Sequence, residues 1–318
     1  MGRLDVVIPV YRPDKRFYQL ISRIFAQTEL PGKVQVMLTL CGAEEEEKKL
    51  LTRMENLRAK AHADGVELAV TSFPKEAFDH GATRNQGIAA CQAPYVLCIT
   101  GDAVPADANL FRTMADAMER DNDIIAVYAR QVAPKAAGKI VRLTQQFNYQ
   151  ASSLKKTKQS AGTLGIKTIF CSDVCCLYHR NRFFCLDGFE APVLFGEDML
   201  FAGKAIENGY AVFYEAAAVV EHGHAFSVTK TFRRNFDSGV NQASHKELFG
   251  RFSSEKEGMK YVKFVLSALK KEQAYFAMAE FCLQCAAKYA GFLLGKHYRL
   301  LPKAVVGRLT GNPDFFTK

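Results

Sequence analysis

Three segments of the 318-residue sequence hold acids, histidines and arginines at spacings that chemistry could use. In FDHGATRNQG (78–87), Asp79, His80, Thr83, Arg84 and Asn85 gather at the entry to a helix. Unpaired N–H groups and a positive partial charge favour an anion there, and an arginine adds to that pull. A phosphate is the natural occupant. In TGDAVPAD (100–107), Asp102 follows the apolar run YVLCIT and emerges at a strand's carboxyl end. A carboxylate facing a phosphate site suits a divalent cation, although an aspartate in such a place equally serves as a helix cap or turn residue. FGEDML (195–200) sets Glu197 and Asp198 side by side at a helix start, where acids ordinarily meet the helix dipole. In VVEHGHAFSVTKTFRRNFDSG (219–239), His222 and His224 alternate and Arg233 with Arg234 follow. Histidines two apart in an extended segment point the same way, as two metal ligands would. Two exposed loop histidines would look the same.

The elements that must position these residues are legible as periodicity. LDVVIPV (4–10), VQVMLTL (34–40), VELAVTSF (66–73) and YVLCIT (95–100) are apolar runs without polar alternation, separated by amphipathic stretches. That pattern predicts an α/β fold with a mostly parallel sheet covered on both faces. Ligands then sit at the carboxyl ends of the strands, which carry Pro9, Val10 and Tyr11, then Cys41 and Gly42, Phe78 and Asp79, and Gly101 and Asp102. The run of four glutamates at 44–47 is a solvated helix start, since consecutive helical residues point round several faces. From about residue 250 the texture turns helical and basic, with no apolar run of the length a bilayer span needs.

Composition bounds the partners. Hydrophobic residues make up 48% and charged residues 24%, which excludes disorder, and the net charge of +9 points to acidic company: phosphorylated ligands or anionic lipid. No RNA-reading signature accompanies that charge, and the 24 Phe and 12 Tyr lie in apolar runs that read as core, so nucleic acid is not expected. The start MGRLDVVIPV has no cleavable hydrophobic segment, so the expected location is cytoplasmic. Nine cysteines fit reduced thiols. Cys171, Cys175 and Cys176, and Cys282 with Cys285, lie in apolar stretches where cysteine acts as a small hydrophobe rather than a zinc ligand.

LDVVIPVYRP, FDHGATRNQG, TGDAVP, the ARQ of 129–131, CSDVCCLYHRNRF and GFEAPVLFGEDML through FRRNFDSGV together resemble, in order and spacing, the GT-A family 2 glycosyltransferases. The combination of HGATRN, a GDA turn, GEDM and a histidine-rich segment before FRRNFD is similar to the bacterial rhamnosyltransferases. The resemblance implies a catalytic domain at 1–245 and a C-terminal helical, basic extension at 246–318. It implies transfer of a sugar, rhamnose above all, from a dTDP- or UDP-linked donor to a glycan or lipid-linked glycan, with inversion and with Mg²⁺ or Mn²⁺. Another donor sugar, or a partner that binds without turnover, are the other readings.

By the same resemblance, Pro9, Val10 and Tyr11 line the pocket for base and ribose, with Cys41 nearby where an acid is usual. Asp79 bonds the base and Arg84 meets the diphosphate. Gly101 and Asp102 form the DxD-like turn, with Asp102 the metal ligand and His222 or His224 a further contact. Asp198 is the catalytic base. Arg130, Gln131, Asp173 and Glu197 lie on the acceptor side, Asp173 standing where an asparagine is usual. The basic helical tail further implies an anionic membrane surface or a homo-oligomeric partner.

Overall fold

The computed structural model describes residues 3–40, 44–252 and 255–316. The first half of the chain runs β1 (Leu4–Tyr11), α1 (Lys15–Phe25), β2 (Lys33–Leu40), α2 (Glu44–Lys60), β3 (Glu67–Pro74), α3 (His80–Ala89), β4 (Tyr95–Ile99), β5 (Val104–Pro105), α4 (Leu110–Met118), β6 (Ile124–Val132) and α5 (Lys139–Asn148). The second continues with β7 (Leu154–Lys156), α6 (Ala161–Leu164), β8 (Cys175–His179), α7 (Arg180–Cys185), α8 (Glu197–Glu207), β9 (Ala211–Glu221), α9 (Val228–Ser244), α10 (Lys246–Phe249), α11 (Glu255–Lys271), α12 (Tyr275–Lys296) and α13 (Lys303–Leu309).

β1 and β4 are buried on both sides, as their lack of alternation requires, whereas β3, at the sheet edge, is only half-buried. Val6, Ile8 and Val10 of β1 enter one core and Val7 enters the other; Leu97 and Ile99 of β4 face the first, Val96 and Cys98 the second. The nine strands form a single sheet in the order β3-β2-β1-β4-β8-β6-β9-β5, with β7 on β9. β1 to β4 pair in parallel, while β8 lies antiparallel between β4 and β6, and β9 is parallel to β6. The sheet is therefore mixed. The carboxyl ends of β1, β4, β6 and β9 share one edge, and β8, running the other way, begins there. The chain moves outward from β1 to β3 and returns to β4 on the other side of β1, which makes this edge a switch point where ligands lodge.

The C-terminal helices pack directly on this body. α12 lies against α9 with glycines at the crossing: a Cβ on Gly239, Gly291 or Gly295 would fall inside the contact radius of a backbone carbonyl on the facing helix. Alanine there would force two backbones apart, at roughly 1–3 kcal/mol for overpacking. Two small cores join the regions before and after residue 245. One holds Leu143 with Val265, Leu269 and Phe281; the other holds Leu194, Phe236 and Val240 with Val306. Among the described residues no helix is long and apolar enough to cross a membrane.

Candidate active site

The strand ends converge on a cleft of about 730 Å³ whose lining includes His80, Arg84, Asp102, Asp173, Asp198, His222, His224 and Arg234. Asp102 sits in the turn after β4, and His222 and His224 follow β9. Arg16 of α1 ties the two segments together, donating through Nε to the Asp102 carbonyl at 2.9 Å and through a terminal nitrogen to the Glu221 carbonyl at 2.6 Å.

These three side chains form one group. His224 Nε2 stands 2.8 Å and His222 Nε2 3.8 Å from Asp102 Oδ2, and one ligand atom from each lies within 4.8 Å of the others. Burial would raise the Asp102 carboxyl, but the hydrogen bond from His224 and the neighbouring His222 hold it below the usual range. Burial pushes His222 down to about 4, against the pull of Asp102, so its imidazole is neutral. Its tautomer follows from the partner beneath it. Gln131 Nε2 donates to Ser172 Oγ at 2.9 Å and to the Tyr149 hydroxyl, which leaves Gln131 Oε1 as an acceptor 2.9 Å from His222 Nδ1. The proton is then on Nδ1, and the Nε2 lone pair faces Asp102. One carboxylate and two imidazole nitrogens suit a borderline divalent ion such as Mn²⁺. Among the described residues no other group of three such side chains converges. The cysteines do not: Cys171 and Cys176 are buried, with their sulfurs 3.4 Å apart.

The second group is acidic and built around Arg84. α8 begins just after Gly196, whose φ of +84° is a left-handed turn that a side chain would strain, and whose Cβ would meet Asn241 Nδ2 at 2.9 Å. That turn releases the next two carboxylates in different directions. Glu197 is buried and points back to Arg84, 2.9 Å from a terminal nitrogen. Asp198 keeps access to the cleft while protein packs closely round it; its Oδ2 accepts from the Asp173 N–H at 3.1 Å and its Oδ1 from the Met199 N–H at 2.8 Å. Burial and the adjacent Glu197 push the Asp198 carboxyl up to about 6. Asp173 is buried beneath it, accepts from the Tyr178 hydroxyl at 2.6 Å and lies 3.1 Å from Arg84 Nε. Burial drives its carboxyl well above the usual range in spite of Arg84.

Several expected contacts are therefore differently placed. Arg84 touches the cleft, but it is 5% exposed and its guanidinium faces Glu197 and Asp173 rather than an open phosphate site. Asp79 caps α3: Oδ1 accepts from the Ala82 N–H and Oδ2 from the Val193 N–H, each at 2.8 Å, so both oxygens hold backbone. Gln131 is buried and meets His222, and Asp173, which also lines the cleft, gives its N–H to Asp198. Arg130 alternates with Gln131 along β6 and does not line the cleft. Gly101 lets the Asp102 turn close over Val10, whose Cγ2 a Cβ would approach to 3.1 Å. Val10 belongs to the core and Pro9 is half-buried beside Met37, while Tyr11 is 46% exposed. Cys41 and Gly42 lie outside the described residues.

Arg234 was named in the sequence without a role. It projects from α9 into the cleft, exposed, its guanidinium 4.5 Å from the Phe195 ring centre and 5.7 Å from that of Phe226. The doublet Arg233-Arg234 signals charge, but only the helix orientation separates the member that faces the site. On the opposite wall stand Lys139, Thr144, Tyr261, Glu280, Gln284 and Lys288, from α5, α11 and α12. A second pocket of about 610 Å³, sharing His80 with the cleft, is lined by Tyr11, Thr39, Phe78 and Asp79 and by Gly311, Asn312 and Phe315 near the C-terminus.

Residues 5–184, more than half of the chain, match the family described as Glycosyl transferase family 2. The O-antigen chain rhamnosyltransferase RfbN of Salmonella typhimurium is 32% identical over 302 residues, 94% of this chain and 91% of the relative. WbaN of Salmonella anatum, also named an O-antigen chain rhamnosyltransferase, is 34% identical over 227 residues, 71% of each. Among solved structures, the mannosyltransferase PcManGT from Pyrobaculum calidifontis, in complex with GDP-Man and Mn²⁺, superposes with a TM-score of 0.60 at 15% identity, covering 92% of this chain and 87% of that one. S. aureus TarS 1-349 with UDP-GlcNAc gives 0.55 at 14%, covering 97% and 84%. At those identities the structures speak for the fold alone, which is of the GT-A type. The family match and the two relatives carry the rest: this chain belongs to glycosyl transferase family 2 and is a glycosyltransferase.

Proposed function

We propose that this enzyme transfers rhamnose from a dTDP- or UDP-linked donor to a hydroxyl of a growing, lipid-linked cell-surface glycan, with inversion at the anomeric carbon. The sugar and the glycan are carried over from the names of the two relatives. The observation that carries the mechanism is the division of the cleft into a carboxylate of raised pKa, Asp198, and a separate Asp102–His222–His224 group. Residues 1–245 form the catalytic domain in this reading, and the helices of 246–318 complete its cleft.

The second pocket takes the nucleotide base and ribose against Tyr11, and the diphosphate extends past His80 into the cleft. Asp102, His222 and His224 would hold Mg²⁺ or Mn²⁺, which when bound supplies charge stabilisation to the departing diphosphate. Arg234, exposed in the same cleft, adds a fixed positive charge to that leaving group. Asp198 takes the proton of the acceptor hydroxyl as it attacks C1. Glu197, its neighbour, is held by Arg84 and offers no second carboxylate to the anomeric carbon. One base and no covalent partner gives a single displacement, hence inversion.

A panel of nucleotide sugars tests the proposal. Incubation with dTDP- and UDP-linked sugars and a lipid-linked acceptor, analysed by mass spectrometry, should add a deoxyhexose mass. Addition of a hexose or an N-acetylhexosamine alone would overturn the choice of sugar, and no product from any donor would overturn turnover itself.

A further inference from the structure

α12 has two faces of opposite character. One packs inward, on α9 through Gly291 and Gly295 and on α5 and α11 through Phe281. The other is open and apolar: Phe276 is 96% exposed, Leu283 56%, Tyr289 69% and Leu293 43%, with Ala279, Ala286 and Ala290 exposed between them. Over Tyr275–Leu294 the charged side chains are Glu280 and Lys288, and both line the catalytic cleft. A charge-free strip of this kind is rare on a monomer and marks an interface.

Its spacing says which kind. Residues 276, 279, 283, 286, 290 and 293 alternate steps of three and four, the seam of a helix that packs against another helix by knobs into holes. Lipid imposes no such register and gains nothing from alanines at its centre. The side-chain sizes are also symmetric about position 288: Ala286 and Ala290 flank it, and Leu283 and Leu293 lie beyond. Laid antiparallel on a copy of itself, this helix sets Ala286 against Ala290 and Leu283 against Leu293, each pair made twice, which is the self-complementarity a twofold interface demands.

We propose that the enzyme is a homodimer joined through antiparallel α12 helices. In that register the paired seam runs from Leu283 to Leu293, roughly 15 Å at 1.5 Å per residue. The small alanines at its centre let the two helices approach closely there. Because Glu280, Gln284 and Lys288 lie on another side of the same helix, the two clefts stand back to back across the interface and remain open.

Light scattering on the full chain should give twice 35.4 kDa. Leu283→Glu, a change at an exposed position, should give 35.4 kDa with the circular dichroism and melting temperature of wild type. In a Cys282→Ser background, protein carrying Ala286→Cys mixed with protein carrying Ala290→Cys should form a disulfide-linked pair under mild oxidation, and neither should do so alone. A monomeric wild type at concentrations far above micromolar overturns the proposal, as does a dimer untouched by Leu283→Glu. Cross-linking by each variant alone overturns the antiparallel register. A monomer that floats with anionic vesicles through Leu283 identifies lipid as the occupant and likewise overturns it.

Discussion

Arg84 and Glu197 meet at 2.9 Å, both almost wholly buried, with Asp173 on the other side of the same guanidinium. Burial opposes the charge on Arg84, and the two carboxylates more than restore it, raising its pKa. An ion pair in this position is costly to break from one side, because the partner left behind is an uncompensated buried charge. Its role here is to fix the start of α8, and with it the aim of Asp198.

Arg84→Met is accordingly expected to destabilise the protein by about 3–5 kcal/mol. Urea unfolding measures this. A variant that unfolds like wild type yet binds nucleoside diphosphate poorly would return Arg84 to a phosphate contact. Arg234→Ala should do the converse, weakening donor binding with the unfolding midpoint unchanged.

The difference between these two arginines shows what a sequence exposes and what it hides. The strands of the parallel half and the ends that carry Asp102 and the histidines are legible, because burial on both faces removes polar alternation and strand ends follow directly. The reversed direction of β8 is not, since an apolar run carries no arrow. HGATRN places Arg84 near the site but says nothing about burial, and it is burial that pairs its guanidinium with Glu197 and Asp173. Glu197 and Asp198 are indistinguishable as letters; the left-handed Gly196 and the pull of Arg84 separate them. That Gly311 and Phe315 would return to wall the pocket beside Tyr11 depends on contacts formed across the whole chain.

Gln131 should matter for metal without touching it. Its Oε1 fixes the proton of His222 on Nδ1. Gln131→Leu is expected to lower Mn²⁺ affinity by about 10- to 100-fold, the usual effect of losing such a support. Isothermal titration with Mn²⁺ reads it, and an affinity equal to wild type would remove Gln131 from this role. Asp102→Ala should abolish the metal's effect on nucleotide binding altogether.

The C-terminal segment is expected to hold the donor. Thr310 Oγ1 donates to Asp237 Oδ1 at 2.5 Å and the Gly311 N–H to Asp237 Oδ2 at 2.9 Å, fastening the segment that walls the second pocket. Ending the chain after Leu309 should weaken nucleoside diphosphate binding by at least about tenfold, the equivalent of about 1.4 kcal/mol. Equal affinity of the shortened and full chains would move the base out of this pocket.

Asp198→Asn should fold, bind donor and fail to transfer. Amide and carboxylate are nearly the same size, and the amide oxygen can still accept one of the two N–H groups, of Asp173 and Met199, that bond separate oxygens of Asp198; the other is left facing the amide nitrogen. The proton acceptor is lost, which costs on the order of a hundred- to ten-thousand-fold in rate. Stability should barely move. A carboxyl whose folded pKa, about 6, lies above its unfolded value binds its proton more tightly when folded, so the wild type loses stability as pH rises through 6. The amide never ionises and escapes that loss, which offsets the hydrogen bond it gives up, about 1 kcal/mol, so at neutral pH the variant should melt close to wild type. The same pKa predicts that wild-type kcat falls about tenfold per pH unit below about 6, where the base is protonated. Glu197→Gln provides the contrast: it breaks a buried pair with Arg84 and should lower stability as well as rate. A flat rate profile between pH 5 and 7 in the wild type, or full transfer by Asp198→Asn, would take the base assignment away from Asp198.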